Sequence, residues 1–125
     1  MTYKRKLDKD IRCPLDYGMD VLGGKWKSRI LCVLSDGPMR YSRLRNEMAN
    51  VTDAALAAAL KDLQANKLVM RKQYEEIPPR VEYHLTQRGK SAIPVLRIIC
   101  TWSGICYKDV ADTALTRCQK CDFHG

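Results

Sequence analysis

The chain has 125 residues, with 22 Lys and Arg against 14 Asp and Glu, a formal net charge of +8 and a pI near 9.3. That length suits a single domain with one hydrophobic core, and the basic balance suits a polyanionic partner. A membrane protein is excluded as a reading. The apolar run IICTWSGICY is too short to span a bilayer, the N-terminus MTYKRKLDKDIRC lacks the apolar stretch of an export signal, and no amphipathic lysine-rich helix suggests a membrane surface. The expected location is therefore the cytoplasm, where the 6 cysteines are read as reduced thiols rather than as a disulfide framework.

Residues 1–12 form a charged arm. The stretch GGKWKSRILCVL predicts a helix bounded by glycines, with Trp26, Ile30, Val33 and Leu34 inward and Lys25, Lys27 and Ser28 pointing away. SDGP closes it with turn chemistry. A second short helix is predicted from Tyr41 to Met48, with Tyr41, Leu44 and Met48 inward and Ser42, Arg43 and Asn46 outward.

Thr52 is a good N-cap and Asp53 complements a positive helix end, which predicts a third helix over 53–65. Leu56, Ala59, Leu60 and Leu63 give its buried stripe, with Ala54, Ala58, Lys61 and Ala65 opposite; ANK stops it. LVMRKQY and VEYHLT predict a two-stranded hairpin around EEIPPR, whose two prolines cannot donate to a ladder and stiffen a protruding loop. Thr86 caps a last long helix with Ile93, Leu96, Ile99, Trp102 and Ile105 on its apolar side, and Pro94 bends that helix or marks its real start. The tail ALTRCQKCDFHG has no clear period, and neither an internal repeat nor a low-complexity linker stands out. The order is a winged helix-turn-helix: mainly α with a small β-hairpin, of α+β class, whose third helix enters the major groove beside the hairpin.

CPLDYGMDVLGGKWKSRIL, GPMRYSRLRNEM, LKDLQANKLVMRKQY, PPRVEYHLTQRGK and Trp102 occur in that order. Together they resemble the HxlR-type winged-helix transcriptional regulators, relatives of the MarR-like group. The resemblance implies a homodimer on a pseudo-palindromic double-stranded DNA operator, terminal helices at the dimer interface, and no enzymatic activity. It divides the chain into the arm 1–12, a DNA-binding domain with its dimerisation helix over 13–107, and a tail over 108–125. In some members of that family a cysteine preceding Pro-Leu, here Cys13, senses oxidants or electrophiles, so a thiol-reactive small molecule is the implied effector.

Arg40, Ser42 and Arg43 match the start of the family's first helix-turn-helix helix, where a cation or hydroxyl at the groove edge holds phosphate. Arg80 at the wing tip, with Arg71 and Lys72 at its base, suits the enhanced negative potential of a narrow minor groove. The reading helix would present Thr52, Ala54, Ala57, Ala58 and Lys61. Alanine offers a base only apolar contact, through a thymine methyl, so Lys61 is its one long outward reader and base discrimination is expected to be modest or indirect.

Arg12 beside Cys13 favours a reactive thiolate and Asp16 opposes it. Cys118, Cys121 and His124 make a C-x-x-C-x-x-H half-site for metal whose fourth ligand would come from Cys106 or a partner subunit; a redox pair and a frayed tail are the other readings. His84 reads as a surface residue, and Trp26 and Trp102 as core or dimer anchors. No cofactor is expected, since LGGK lacks the flanks of a nucleotide site and no hydrolase triad or carboxylate pair stands out.

The sequence thus points to a dimeric transcriptional regulator, a repressor responding to thiol-reactive or oxidative signals through a changed spacing of its two reading helices, which must fit half-sites about 34–36 Å apart. Two alternatives stay open: a protein-interaction module on the same fold with weakened DNA binding, and a metal sensor built on the C-terminal Cys/His cluster.

Overall fold

The computed structural model describes residues 10–110. Helices α1 (Pro14–Leu22), α2 (Lys27–Leu34), α3 (Tyr41–Met48) and α4 (Asp53–Ala65) precede an antiparallel hairpin of β1 (Val69–Tyr74) and β2 (Arg80–Leu85), and α5 (Gln87–Val110) follows. This is the winged helix-turn-helix expected from the sequence. Helices α3 and α4 and the hairpin fall within a residue of their predicted bounds.

The core forms where apolar stripes of α2, α3 and α4 meet. Ile30, Leu31, Leu44, Leu56 and Leu63 are fully buried, and Leu68, Val69 and Leu96 close the cluster from the hairpin and α5. Leu31 belongs to that core although the helical-spacing reading left it out. Removing such side chains from water supplies the main favourable term in folding.

Helix α1 was not anticipated as an element. Its signals are nevertheless present: Pro14 at the first helical position, where a missing N–H costs nothing, and Asp16 in the first turn. It eluded the periodicity reading because its apolar side chains point outward. Val21 is its one buried residue, whereas Leu15, Tyr17 and Met19 are exposed.

Thr52 caps α4 as expected, its hydroxyl oxygen accepting from the Ala55 N–H at 3.0 Å. Replacing it with Ala is expected to cost about 1 kcal/mol of stability, which thermal unfolding would register as a Tm lower by about 4 °C. An unchanged Tm would mean that the hairpin and core alone hold the start of α4.

The hairpin is pinned beside the helices at two places. Met39 N–H donates to the Tyr83 carbonyl at 3.1 Å and Tyr83 N–H to the Met39 carbonyl at 2.8 Å, adding a short bridge to the outer edge of β2. At the other end, Thr86 N–H donates to the Leu68 carbonyl at 3.0 Å, and the Thr86 hydroxyl donates to the Lys67 carbonyl while accepting from Gly89 N–H. Thr86 is thus both the cap of α5 and its clasp onto the residues that lead into β1.

Several expectations need correction. Helix α5 begins at Gln87, so Pro94 lies inside it and does not mark its start. Its apolar stripe is only half used: Leu96 is buried and Ile93 packs on the core, but Ile99 and Trp102 are exposed, Trp102 at 64%. Lys27 does not point away from the protein. Its side chain is 15% exposed and its ammonium donates to the Asp62 carboxylate at 2.7 Å and to the Asp20 carbonyl at 2.9 Å. A buried ammonium must find such partners, and amphipathic periodicity cannot reveal partners 35 residues away. Trp26 is half-buried against the core, with Lys25 and Arg29 over its ring at 4.9 and 5.3 Å.

Candidate nucleic-acid interface

The α3–α4 unit is a helix-turn-helix whose turn contains Ala49 and Asn50 at positive φ, which reverses the chain in two residues. Arg40 stands in extended backbone as the N-cap of α3, and Ser42 and Arg43 follow in its first turn; all three are exposed. The guanidinium and hydroxyl groups expected at a phosphate backbone are therefore presented together at one helix start. On α4, Ala54, Ala57, Ala58 and Lys61 are exposed, opposite the stripe Leu56, Ala59, Leu60 and Leu63. Exposed Thr52 keeps its position at the helix start, with its oxygen committed to the cap.

The start of α4 is held to α3 by groups the sequence reading had not combined. Arg45 Nε lies 2.6 Å from Asp53 Oδ1, and the Tyr41 hydroxyl donates to the same oxygen at 3.1 Å. Tyr41 titrates above its ordinary value because of desolvation and then because of this donation to a carboxylate. In the sequence Asp53 complements the helix dipole and Arg45 has no assigned role. The signal available was a cation and a carboxylate eight residues apart across a helix-turn-helix turn.

The wing departs from expectation. Arg71 and Lys72 are exposed on β1, facing Tyr83 and Glu82 in the register, so they sit mid-strand rather than at the base. Arg80 is not a projecting tip. It opens β2 opposite Tyr74, lies 3.7 Å over that ring, and pairs with Glu76 at 2.7 Å and Glu82 at 2.6 Å. The hydrogen bonds that Arg80 donates to Glu76, and then the one to Glu82, hold its guanidinium above the ordinary arginine value. Glu82 in turn lies below the usual carboxylate range: desolvation would raise it, but the Arg80 hydrogen bond and charge prevail. A planar guanidinium that finds two carboxylates and an aromatic face is satisfied within the protein. The projecting residue is Ile77, fully exposed ahead of Pro78 and Pro79.

His84 is less exposed than a surface histidine would be. Its Nε2 is buried, takes no hydrogen bond and lies 3.4 Å from Glu82 Oε1. Cys13 is exposed as the N-cap of α1. Arg12, expected to serve the thiol, instead ion-pairs with Asp10 at 2.9 Å, and its backbone N–H donates to Asp16. Cys118, Cys121 and His124 lie outside the described residues. Among the described residues, no helix is long and apolar enough to cross a membrane and no three metal-ligating side chains gather.

The family model for HxlR-like helix-turn-helix proteins matches residues 21–110. An HTH-type transcriptional regulator of Methanothermobacter thermautotrophicus is 41% identical over 95 residues, 76% of this chain and 72% of that protein. Among solved structures, the redox regulator HypR in its reduced form is similar with a TM-score of 0.71 and 34% identity, over 78% of this chain and 96% of that one. YodB of Bacillus subtilis, in its reduced form, gives a TM-score of 0.69 and 31% identity over 74% of this chain and 92% of its own.

Proposed function

Because this chain belongs to the HxlR-like helix-turn-helix family of transcriptional regulators, DNA-binding proteins rather than enzymes, we propose that it is a homodimeric repressor controlled by thiol-reactive signals. The observation that carries the DNA contact is the exposed group Arg40, Ser42 and Arg43 at the start of α3, beside the exposed face of α4. Phosphates are held there, with Arg71 and Lys72 of the wing adding to the cationic track, and Thr52, Ala54, Ala57, Ala58 and Lys61 line the groove. Arg80 acts indirectly, by stiffening the wing around Tyr74.

The operator is double-stranded and pseudo-palindromic, and each protomer contributes one reading helix. Leu15 and Met19 of α1 and Ile98, Ile99 and Trp102 of α5 are apolar and exposed on the single chain; covering them is the work of the second protomer. The functional unit on this reading is 13–107, with 1–12 and 108–125 as flanking segments, acting in the cytoplasm. A titration of reduced protein against its own upstream DNA and against scrambled DNA, at several salt concentrations, tests the proposal. Preferential binding that weakens steeply with salt supports it, and equal binding to both at every concentration removes it.

Cys13 is the proposed sensor, supported by its exposure at the first turn of α1 and by the redox character of HypR and the diamide-treated form of YodB among similar structures. Diamide oxidation is expected to weaken DNA binding of the wild-type protein at least tenfold, a shift of about 1.4 kcal/mol, and to leave Cys13→Ser bound. A Cys13→Ser protein that releases DNA on diamide would move the sensor to another thiol.

A further inference from the structure

Resting on the DNA reading above, we infer that Asp53 is a base-reading residue at the N-terminal end of α4, specific for the exocyclic amino group of a cytosine in the major groove, with Arg45 and Tyr41 as positioning residues. A reading helix addresses base edges with its N-terminal residues. At that end of α4 the exposed side chains are Thr52, Asp53, Ala54, Ala57 and Ala58. The Thr52 oxygen accepts the cap bond and the alanines carry no polar atom. Asp53 remains as the polar group able to distinguish one base from another.

Its geometry suits the task. Both contacts from α3 fall on Oδ1, the Arg45 ion pair at 2.6 Å and the Tyr41 hydroxyl at 3.1 Å, while the Asp53 side chain stays 72% exposed. The carboxylate is thus oriented by two groups anchored on another helix while staying open to a donor from outside the protein. In the major groove cytosine presents an N4 amino donor, whereas guanine shows two acceptors and thymine an acceptor with its methyl. Adenine pairs its amino donor with the N7 acceptor, which repels the second carboxylate oxygen. A carboxylate thus favours cytosine and penalises the others.

The alanines acquire a purpose in the same arrangement. A carboxylate on a single methylene reaches a base edge only if the helix backbone comes close, and Ala54, Ala57 and Ala58 allow that approach where longer side chains would prop the helix away.

The experiment uses the full chain and a duplex whose half-sites have been mapped by footprinting on its own upstream region. Each half-site cytosine is replaced in turn by 2-pyrimidinone, which lacks only the amino group, and binding is measured for wild type, Asp53→Ala and Tyr41→Phe. At one position per half-site, wild type is expected to lose about three- to tenfold in affinity, less than a full bidentate pair would give. Asp53→Ala should lose nothing there. Its salt slope should be steeper by about 2 per dimer, because Arg45 is released toward phosphate. Tyr41→Phe should show a reduced preference at that same position with an unchanged Tm, a result that a purely structural hydroxyl would not give. Equal losses in wild type and Asp53→Ala, or no loss at any cytosine in wild type, would overturn the assignment while leaving the DNA reading in place. Binding without salt dependence to any duplex would overturn both.

Discussion

Arg40→Ala combined with Arg43→Ala is expected to lower affinity for duplex DNA by roughly 10²–10³-fold near 0.1 M salt and to flatten the salt dependence by about 4 per dimer. Each chain presents two guanidinium groups at the start of α3, both exposed and neither engaged in an ion pair among the described residues, so the proposed dimer presents four. Neutralising a phosphate releases nearly one condensed counterion, so four lost contacts remove nearly four from the slope. The loss should be uniform across sequences, since phosphates carry no base identity. Both positions lie on the surface, so the thermal midpoint should stay where it is, which separates lost contact from lost fold. A doubly substituted protein with the wild-type slope would make this face a solvated surface and shift attention to the exposed alanines as a protein-docking face.

The second large effect is expected from a single methyl group. Gly89 lies in the first turn of α5, and a Cβ built there would stand 2.1 Å from the Leu68 carbonyl oxygen and 3.2 Å from Leu85 Cδ2. Alanine normally stabilises a helix relative to glycine by about 1 kcal/mol. Here the sign should reverse. The nearest obstacle is backbone, which cannot rotate aside, and the same Leu68 oxygen accepts the Thr86 N–H that clasps α5 to β1. Gly89→Ala is therefore expected to cost about 3 kcal/mol, the upper part of the range for overpacking, and to lower Tm by about 10 °C. A Ser91→Ala control, at an exposed position two residues on, should behave as wild type. If Gly89→Ala melts at or above the wild-type temperature, α5 can slide on the hairpin and the clasp is not rigid.

The helix-turn-helix was legible because its elements are amphipathic and bounded by local chemistry. Thr52 announces α4, Leu56 to Leu63 give its inward stripe, and the Thr86 cap marks the start of α5. Helix α1 was obscured because its exposed side is the apolar one, which inverts the pattern that periodicity looks for. In α5 the reverse occurred: the stripe through Ile99 and Trp102 was read correctly as apolar, yet the single chain does not bury it. The site was harder still. Arg80 and Lys27 are ordinary basic residues in the sequence; strand pairing sets Tyr74 across from the first, which also takes Glu76 and Glu82 close by in sequence, and the fold alone brings Asp62 and the Asp20 carbonyl to the second. Asp53 was visible as a helix-start acid, but its fixed orientation depends on Arg45 and Tyr41 across the turn.

The contacts of Lys27 have a mechanical meaning. Its ammonium joins the last turn of α1, through the Asp20 carbonyl, to the last turn of α4, through Asp62. Helix α1 is a rod of 9 residues, about 13 Å long at 1.5 Å per residue. Pivoting it by about 10° around Cys13 swings the far end by roughly 2 Å, more than a hydrogen bond can stretch. A small angular displacement at the thiol is thereby geared into a translation that Lys27 must either transmit to α4 or absorb by letting go of one of its two partners.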